Sequence, residues 1–211
     1  MKEGFKVQPY QFFTEKQSWV TIGKDTQYVV KETDDAYYIA FYGSNSKTDW
    51  RTNFNFFKKP YKNMKVVFHV HRGYLKEWQL IHHHFRNLVH PITKPIVIVG
   101  HSYGGAIATL CMEDIWFNYP EKRADLKLIT FGAPRVIGWY NYNKIKERWA
   151  NSTMYSNTFD LVSHVPFFLM GFSHVKKRTV VGKQKSLRQK VDFVSNHTVE
   201  QYENQILLSQ Q

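Results

Sequence analysis

The 211-residue sequence predicts an α/β fold, a central and mostly parallel sheet flanked by helices, with residues 1–211 forming a single domain. Three observations carry that expectation. Short β-branched runs such as Ile96-Val97-Ile98-Val99 read as strands buried on both faces. They alternate with segments of helical period at βαβ spacing. No internal repeat, low-complexity stretch or linker rich in Pro, Gly or Ser divides the chain.

The elements follow in order. Residues 27–31 and 36–42 read as two strands of a hairpin turned at Asp34-Asp35, which would add antiparallel strands at one sheet edge. Residues 65–70 are a further strand. From Tyr74 the period changes: Leu75, Trp78, Ile81, Phe85 and Leu88 recur every three or four positions, marking an amphipathic helix to Val89. Pro91 and Pro95 stop it. The strand at 96–99 leads into a tight turn, 100–105, and a small-residue helix, 106–117. A strand is expected at 126–131, a helical segment at 144–149 and a strand at 153–159. A last strand at 175–182 and a closing helix at 198–208 complete the chain.

Composition narrows the class. Apolar residues make up 43% and charged residues 22%, as in an ordinary globular domain. One cysteine, Cys111, excludes an intrachain disulfide framework. The apolar runs are far below the ~20 residues of a membrane span. Residues 1–10 carry no apolar core of secretory type, so the expectation is a soluble protein, cytoplasmic or peripheral to a membrane, unless it leaves by another route or a signal was removed. The 29 Lys+Arg against 17 Asp+Glu leave +12, which favours anionic partners.

Chemistry concentrates at Gly100-His101-Ser102-Tyr103-Gly104, a G-x-S-x-G pattern after a β-branched strand and before a Gly/Ala-rich helix. A serine on such a strained turn projects its hydroxyl above the sheet edge. The glycines lack side chains that would clash there. The helix that follows aims its unpaired N–H groups at the same point, so an oxyanion can be held beside the serine by the Tyr103 amide. The competing account is a Gly-rich turn used only for packing. A nucleophilic serine needs a histidine and an orienting carboxylate, in the chain order Ser, Asp/Glu, His. That order leaves His164, His174 and His197. Asp160 is the favoured acid because it stands just past a strand. Asp125 precedes a strand, Asp114 lies within a helix, and Asp192 sits only five residues before His197.

Beyond the elbow, several segments together resemble the class 3 lipases, the fungal-lipase-like branch of the α/β-hydrolases, over about residues 30–205. Phe41-Tyr42-Gly43-Ser44 with Asp49-Trp50 and Asn53 is similar to the family's F-R-G-[ST] strand, and Val70-His71-Arg72-Gly73-Tyr74 to its V-H-x-G-F. Gly100–Ala106 resembles G-H-S-x-G-G-A, and Thr130 to Val136 resembles T-F-G-x-P-R-V. Asp160 to Pro166 and Gly171 to Val175 are similar to D-x-V-x-x-[LV]-P and G-Y-x-H-V. The resemblance implies Ser102 as nucleophile, Asp160 as acid and His197, followed by Tyr202, as base. It makes His174 structural. It pairs Ser44 with the Tyr103 amide as the oxyanion hole. Two residues depart from the pattern: Tyr42 replaces an arginine and Tyr103 a leucine.

The activity so implied is hydrolysis of carboxylic esters of lipids, triacylglycerol lipase or phospholipase A1-like, through an acyl-enzyme and without metal or cofactor. Alternatives on the same residues are an acyltransferase or thioesterase, or a silent module that binds membranes or nucleic acid. The expected partners are a lipid ester and, peripherally, an anionic membrane; nucleic acid is the weaker reading. Residues 45–60 mix Trp50 and Phe54, Phe56 and Phe57 with basic residues, as a lid would. Residues 176–190 hold seven basic residues and no acid, suited to anionic lipid or simply to water. His82-His83-His84 cannot converge on one ion, because adjacent helical residues point ~100° apart.

Overall fold

The computed structural model describes residues 7–43, 58–63, 66–140, 142–182 and 195–209. The expected hairpin is present as β2 (Thr26–Glu32) and β3 (Tyr37–Gly43), preceded by a four-residue helix, α1 (Gln11–Thr14), and a short strand, β1 (Val20–Ile22). Then come β4 (Lys58–Asn63), β5 (Val66–His71) and α2 (Arg72–Val89). They are followed by β6 (Ile96–His101), α3 (Tyr103–Asn118), β7 (Leu126–Phe131) and β8 (Ile137–Gly138). The chain continues through β9 (Ser152–Asn157), β10 (Phe172–Ser173), β11 (Thr179–Val181) and α4 (Val199–Ser209).

The main sheet has seven strands in the order β1-β2-β3-β6-β7-β9-β11. From β3 to β11 every pairing is parallel, and the hairpin supplies the antiparallel edge. Alternation then divides the side chains between two cores. Ile39, Phe41, Ile96, Ile98 and Leu128 face α2 and α3, where Trp78, Phe85 and Leu110 meet them. Tyr38, Ala40, Val97, Val99, Ile129 and Phe131 face the other way, against Phe12, Tyr202 and Ile206. Both faces are covered, which is why the central strands carry no polar stripe. The two long helices are also tied by charge: Arg86 on α2 makes a forked contact with the buried carboxylate of Asp114 on α3, at 2.6 and 3.0 Å.

The strand expected at 65–70 forms, but not in this sheet. As β5 it pairs with β4 and touches β8 in a separate four-stranded sheet, β10-β8-β5-β4. β6 already has parallel partners on both edges, so the main sheet offers β5 no place beside it. Residues 144–149 form 3-10 turns, Tyr142–Lys144 and Lys146–Trp149, rather than a longer helix. Among the described residues no helix is long and apolar enough to cross a membrane.

Candidate active site

The strand β6 carries the chain to Ser102, which adopts φ 56° and ψ −127°. It is the one non-glycine with positive φ among the described residues. Such a conformation costs an L-residue of order 1–3 kcal/mol and persists only where its surroundings enforce it. Here they do. The Ser102 amide donates to the Phe131 carbonyl of β7 at 3.0 Å, and the Gly105 amide donates to the Ser102 carbonyl at 2.9 Å. A Cβ on Gly100 would lie 2.6 Å from the Gly104 carbonyl oxygen, and one on Gly104 would lie 2.6 Å from the Tyr42 amide nitrogen. Backbone contact at both glycines therefore fixes the turn. Tyr103 is the first residue of α3, so its amide is one of the helix's unpaired donors.

Asp160 follows the carboxyl end of β9 and is completely buried. Its Oδ1 accepts from the Val162 amide at 2.9 Å. Its Oδ2 receives two donors: His197 Nδ1 at 2.8 Å and the Tyr202 hydroxyl at 2.5 Å. With Nδ1 donating, the second imidazole nitrogen, Nε2, is the one with proton-accepting character. The Tyr202 oxygen in turn accepts from the Asn157 amide at 2.9 Å. Gly132, at φ 59°, turns the chain at the end of β7 immediately against this pair; a Cβ there would sit 2.6 Å from Asp160 Oδ2 and 2.9 Å from His197 Cε1.

The elbow and the Asp–His pair meet through His101. Its ring stacks on that of His197, with centroids 4.8 Å apart, and its Nε2 donates to the His197 carbonyl at 2.8 Å. Burial, reinforced by the neighbouring His197, pushes His101 down to about 3, so it stays neutral and supports the ring rather than competing for a proton. Chain order excludes His101 as the base, and nothing in the sequence pointed to this supporting role. On its other side it stacks on Tyr42, at 5.5 Å and 21°. Tyr42, which stands where the resemblance expects an arginine, thus extends an aromatic group that includes Trp19 and Phe13.

The other candidates are accounted for. His174 Nε2 donates to the Ser163 carbonyl at 2.8 Å, and burial pushes this histidine down to about 3. His164 Nδ1 donates to the backbone carbonyl of Asp160 at 2.8 Å. Asp114 is paired with Arg86. Cys111 is buried in α3. Tyr103, in place of a leucine, turns its ring onto Tyr74 with centroids 5.5 Å apart; burial raises its hydroxyl above the usual range. Ser44, residues 45–57 of the candidate lid 45–60, Asp192 and residues 183–190 of the basic stretch 176–190 lie outside the described residues, and Asp49, Trp50 and Asn53 are among them. Among the described residues no three His, Cys, Asp or Glu side chains gather as a metal site.

The sequence model described as Lipase (class 3) matches residues 38–170, a span that includes Ser102 and Asp160 and ends before His197. The chain is similar to a lipase of Rhizomucor miehei, 29% identical over 167 residues, 75% of this chain and 46% of that protein. It is also similar to secreted mono- and diacylglycerol lipase 1 of Fusarium solani, 28% identical over 64% of this chain and 41% of that one. The chain thus spans about half the length of the curated relatives it matches. The solved structure of lipase II from Rhizopus niveus superposes with a TM-score of 0.68 at 23% identity, covering 82% of this chain and 74% of that one. That likeness carries the fold, an α/β-hydrolase, while the family match covers more than half of the sequence. The chain belongs to the class 3 lipase family.

Proposed function

We propose that the protein is a serine hydrolase of lipid carboxylic esters, with residues 1–211 working as one domain. The observation that carries the proposal is a strained serine at a strand–helix elbow, linked through His101 to a histidine oriented by a buried carboxylate.

The steps follow from the parts. Ser102 Oγ attacks the ester carbonyl while His197 Nε2 takes its proton. Asp160 holds the Nδ1–H tautomer and stabilises the imidazolium that forms. The Tyr103 amide, with Ser44, binds the tetrahedral oxyanion, each such donor contributing about 3–4 kcal/mol to the barrier. Collapse of the intermediate expels the alcohol, which takes the proton from Nε2. Water then attacks the acyl-Ser102 while His197 takes its proton, and collapse releases the fatty acid as Nε2 returns that proton to Ser102 Oγ. No step calls for a metal or cofactor. A triacylglycerol, a partial acylglycerol and the sn-1 ester of a phospholipid all present the carbonyl that this arrangement needs.

The test is hydrolysis of p-nitrophenyl esters from C2 to C16 by the wild-type chain and by Ser102→Ala. The expected outcome is turnover by the former and none by the latter, with the optimum chain length separating esterase from lipase behaviour. Equal rates for both proteins, or no turnover of any ester by wild type, refute the proposal. Esterolysis that yields acyl transfer to an added alcohol in place of the free acid would favour the acyltransferase reading.

A further inference from the structure

Among the described residues, six exposed large apolar side chains come together from two segments of the chain. Trp139, Tyr140, Phe167, Phe168, Leu169 and Met170 form one ridge, and Leu169 at its tip is 97% exposed, so it adds nothing to the core. The two segments are joined: the Trp139 amide donates to the Gly171 carbonyl at 3.1 Å, and the Trp139 and Phe168 rings lie 6.0 Å apart. The backbone beneath is tightly held. Phe168–Met170 is a 3-10 turn closed by Gly171 at φ 81°, and the Arg135 guanidinium donates to the carbonyls of His164 and, at 2.9 Å, Pro166. An apolar ridge that the fold holds out in water marks an interaction surface.

The charge around the ridge says what it meets. Residues 135–182 contain seven Lys or Arg and only two acids. One acid, Asp160, is buried against His197, and one cation, Arg148, is buried against Glu113, which leaves six basic residues and Glu147. Lys58 Nζ stands 5.3 Å from the Phe172 ring centroid, at the foot of the ridge. Lys144, Lys146, Lys176 and Lys177 are exposed on adjoining segments, which are tied together by the Tyr142 hydroxyl on the Val175 carbonyl and by Lys176 Nζ on the Ala150 carbonyl.

We infer that this ridge anchors the protein to the surface of an anionic lipid bilayer. An aliphatic tip, an amphipathic Trp and Tyr beside it and a cationic rim repeat the order of a membrane's own layers: hydrocarbon, interface, phosphate. The anchor rises from the chain segment that begins at Asp160, so docking would bring the candidate site to the surface that holds its substrate. The inference deepens the lipid-ester proposal, but its test does not depend on turnover.

Partitioning of the Ser102→Ala chain is measured by cosedimentation with vesicles of phosphatidylcholine alone and of phosphatidylcholine mixed with phosphatidylserine. The same measurement is made with Leu169→Asp added and, as a control for charge, with Leu80→Asp, which alters an exposed leucine on α2. Equal thermal midpoints establish that each variant folds; Phe168→Ser replaces Leu169→Asp if they differ. The expected result is tighter binding to the anionic vesicles and a loss of about tenfold or more on both vesicle types for Leu169→Asp. Leu80→Asp should show only a small loss, confined to the anionic vesicles. Equal binding by the two variants, or no binding of the parent chain to either vesicle, overturns the inference. So does a dimer in sedimentation that Leu169→Asp dissociates, because the ridge would then be a contact between copies. Leu169-dependent docking by a chain whose wild type hydrolyses no ester would leave the anchor standing and remove the hydrolase proposal.

Discussion

Replacing Tyr202 by phenylalanine removes one oxygen atom from the centre of the candidate site. That oxygen donates to Asp160 Oδ2 at 2.5 Å and accepts from the Asn157 amide at 2.9 Å, and the ring around it is fully buried. Two losses follow. A hydrogen bond to a charged group contributes about 1.5–3 kcal/mol, and a buried amide left without an acceptor costs about 1–3 kcal/mol. The ring still fills its space, so no cavity opens. Together the two losses cost about 2.5–6 kcal/mol, which lowers the melting temperature by roughly 5–24 °C in a chain of this size. Activity falls for a separate reason. Asp160 must hold its position while the His197 imidazolium forms, and Tyr202 supplies one of its three hydrogen bonds. Loss of that support in the transition state alone lowers kcat by about tenfold to a hundredfold at 1.4 kcal/mol per decade, with KM for a short soluble ester little changed. The assay is steady-state hydrolysis of p-nitrophenyl butyrate beside thermal unfolding. A kcat within twofold of wild type would refute the assignment of Tyr202 as a residue that positions the acid. A lowered melting temperature with unchanged kcat would reduce it to a structural role.

Two further outcomes follow from the same geometry. Ser102→Gly should abolish esterolysis yet stabilise the fold by about 1 kcal/mol, because glycine adopts φ 56° without the strain that serine bears there; a melting temperature below that of wild type contradicts the strained elbow. Acid should destabilise the protein early, because burial pushes His101 and His174 down to about 3 and His71 to about 4, whereas in the unfolded chain they titrate near 6.5. Below about pH 6.5 the unfolded chain therefore binds more protons, and stability that is complete above that pH is lost as the pH falls toward 4. The slope approaches about 4 kcal/mol per pH unit for the three together. Melting temperatures measured from pH 7.5 to 4.5 check this, and a flat profile between pH 6.5 and 5 refutes it.

The sequence made the elbow legible because its constraints are local. A β-branched run, two glycines that backbone contacts require and a small-residue helix are all written within about twenty positions. The start of α3 was less legible: Gly104-Gly105 reads as turn, so the helix was expected at 106 and begins at Tyr103. The placement of β5 could not be read, since a strand's composition does not say which edge it joins, and β8 and β10 are only two residues long. Asp160 is legible from its place just past a strand, but His197 lies 37 residues further on, and the choice among His164, His174 and His197 comes from the resemblance rather than from spacing. Tyr202 was visible only as a residue following His197, and the supporting contact of His101 depends on a stacking geometry for which no sequence pattern exists.

The clamp of Arg135 on the His164 and Pro166 carbonyls has a mechanical consequence. The loop that ends in Leu169 begins at Asp160, so any force applied to its tip runs back toward the carboxylate that orients His197. Arg135 follows closely after β7, and its grip makes the middle of that loop a fixed pivot. Load is delivered into the sheet before it reaches Asp160, much as a bracket relieves a joint. Without the clamp, contact with a yielding, fluctuating surface would be resisted only by the bonds nearer Asp160, such as the His164 ring on the Asp160 carbonyl and the His174 ring on the Ser163 carbonyl. With it, load on the tip meets the sheet first, and the part of the loop next to Asp160 stays still.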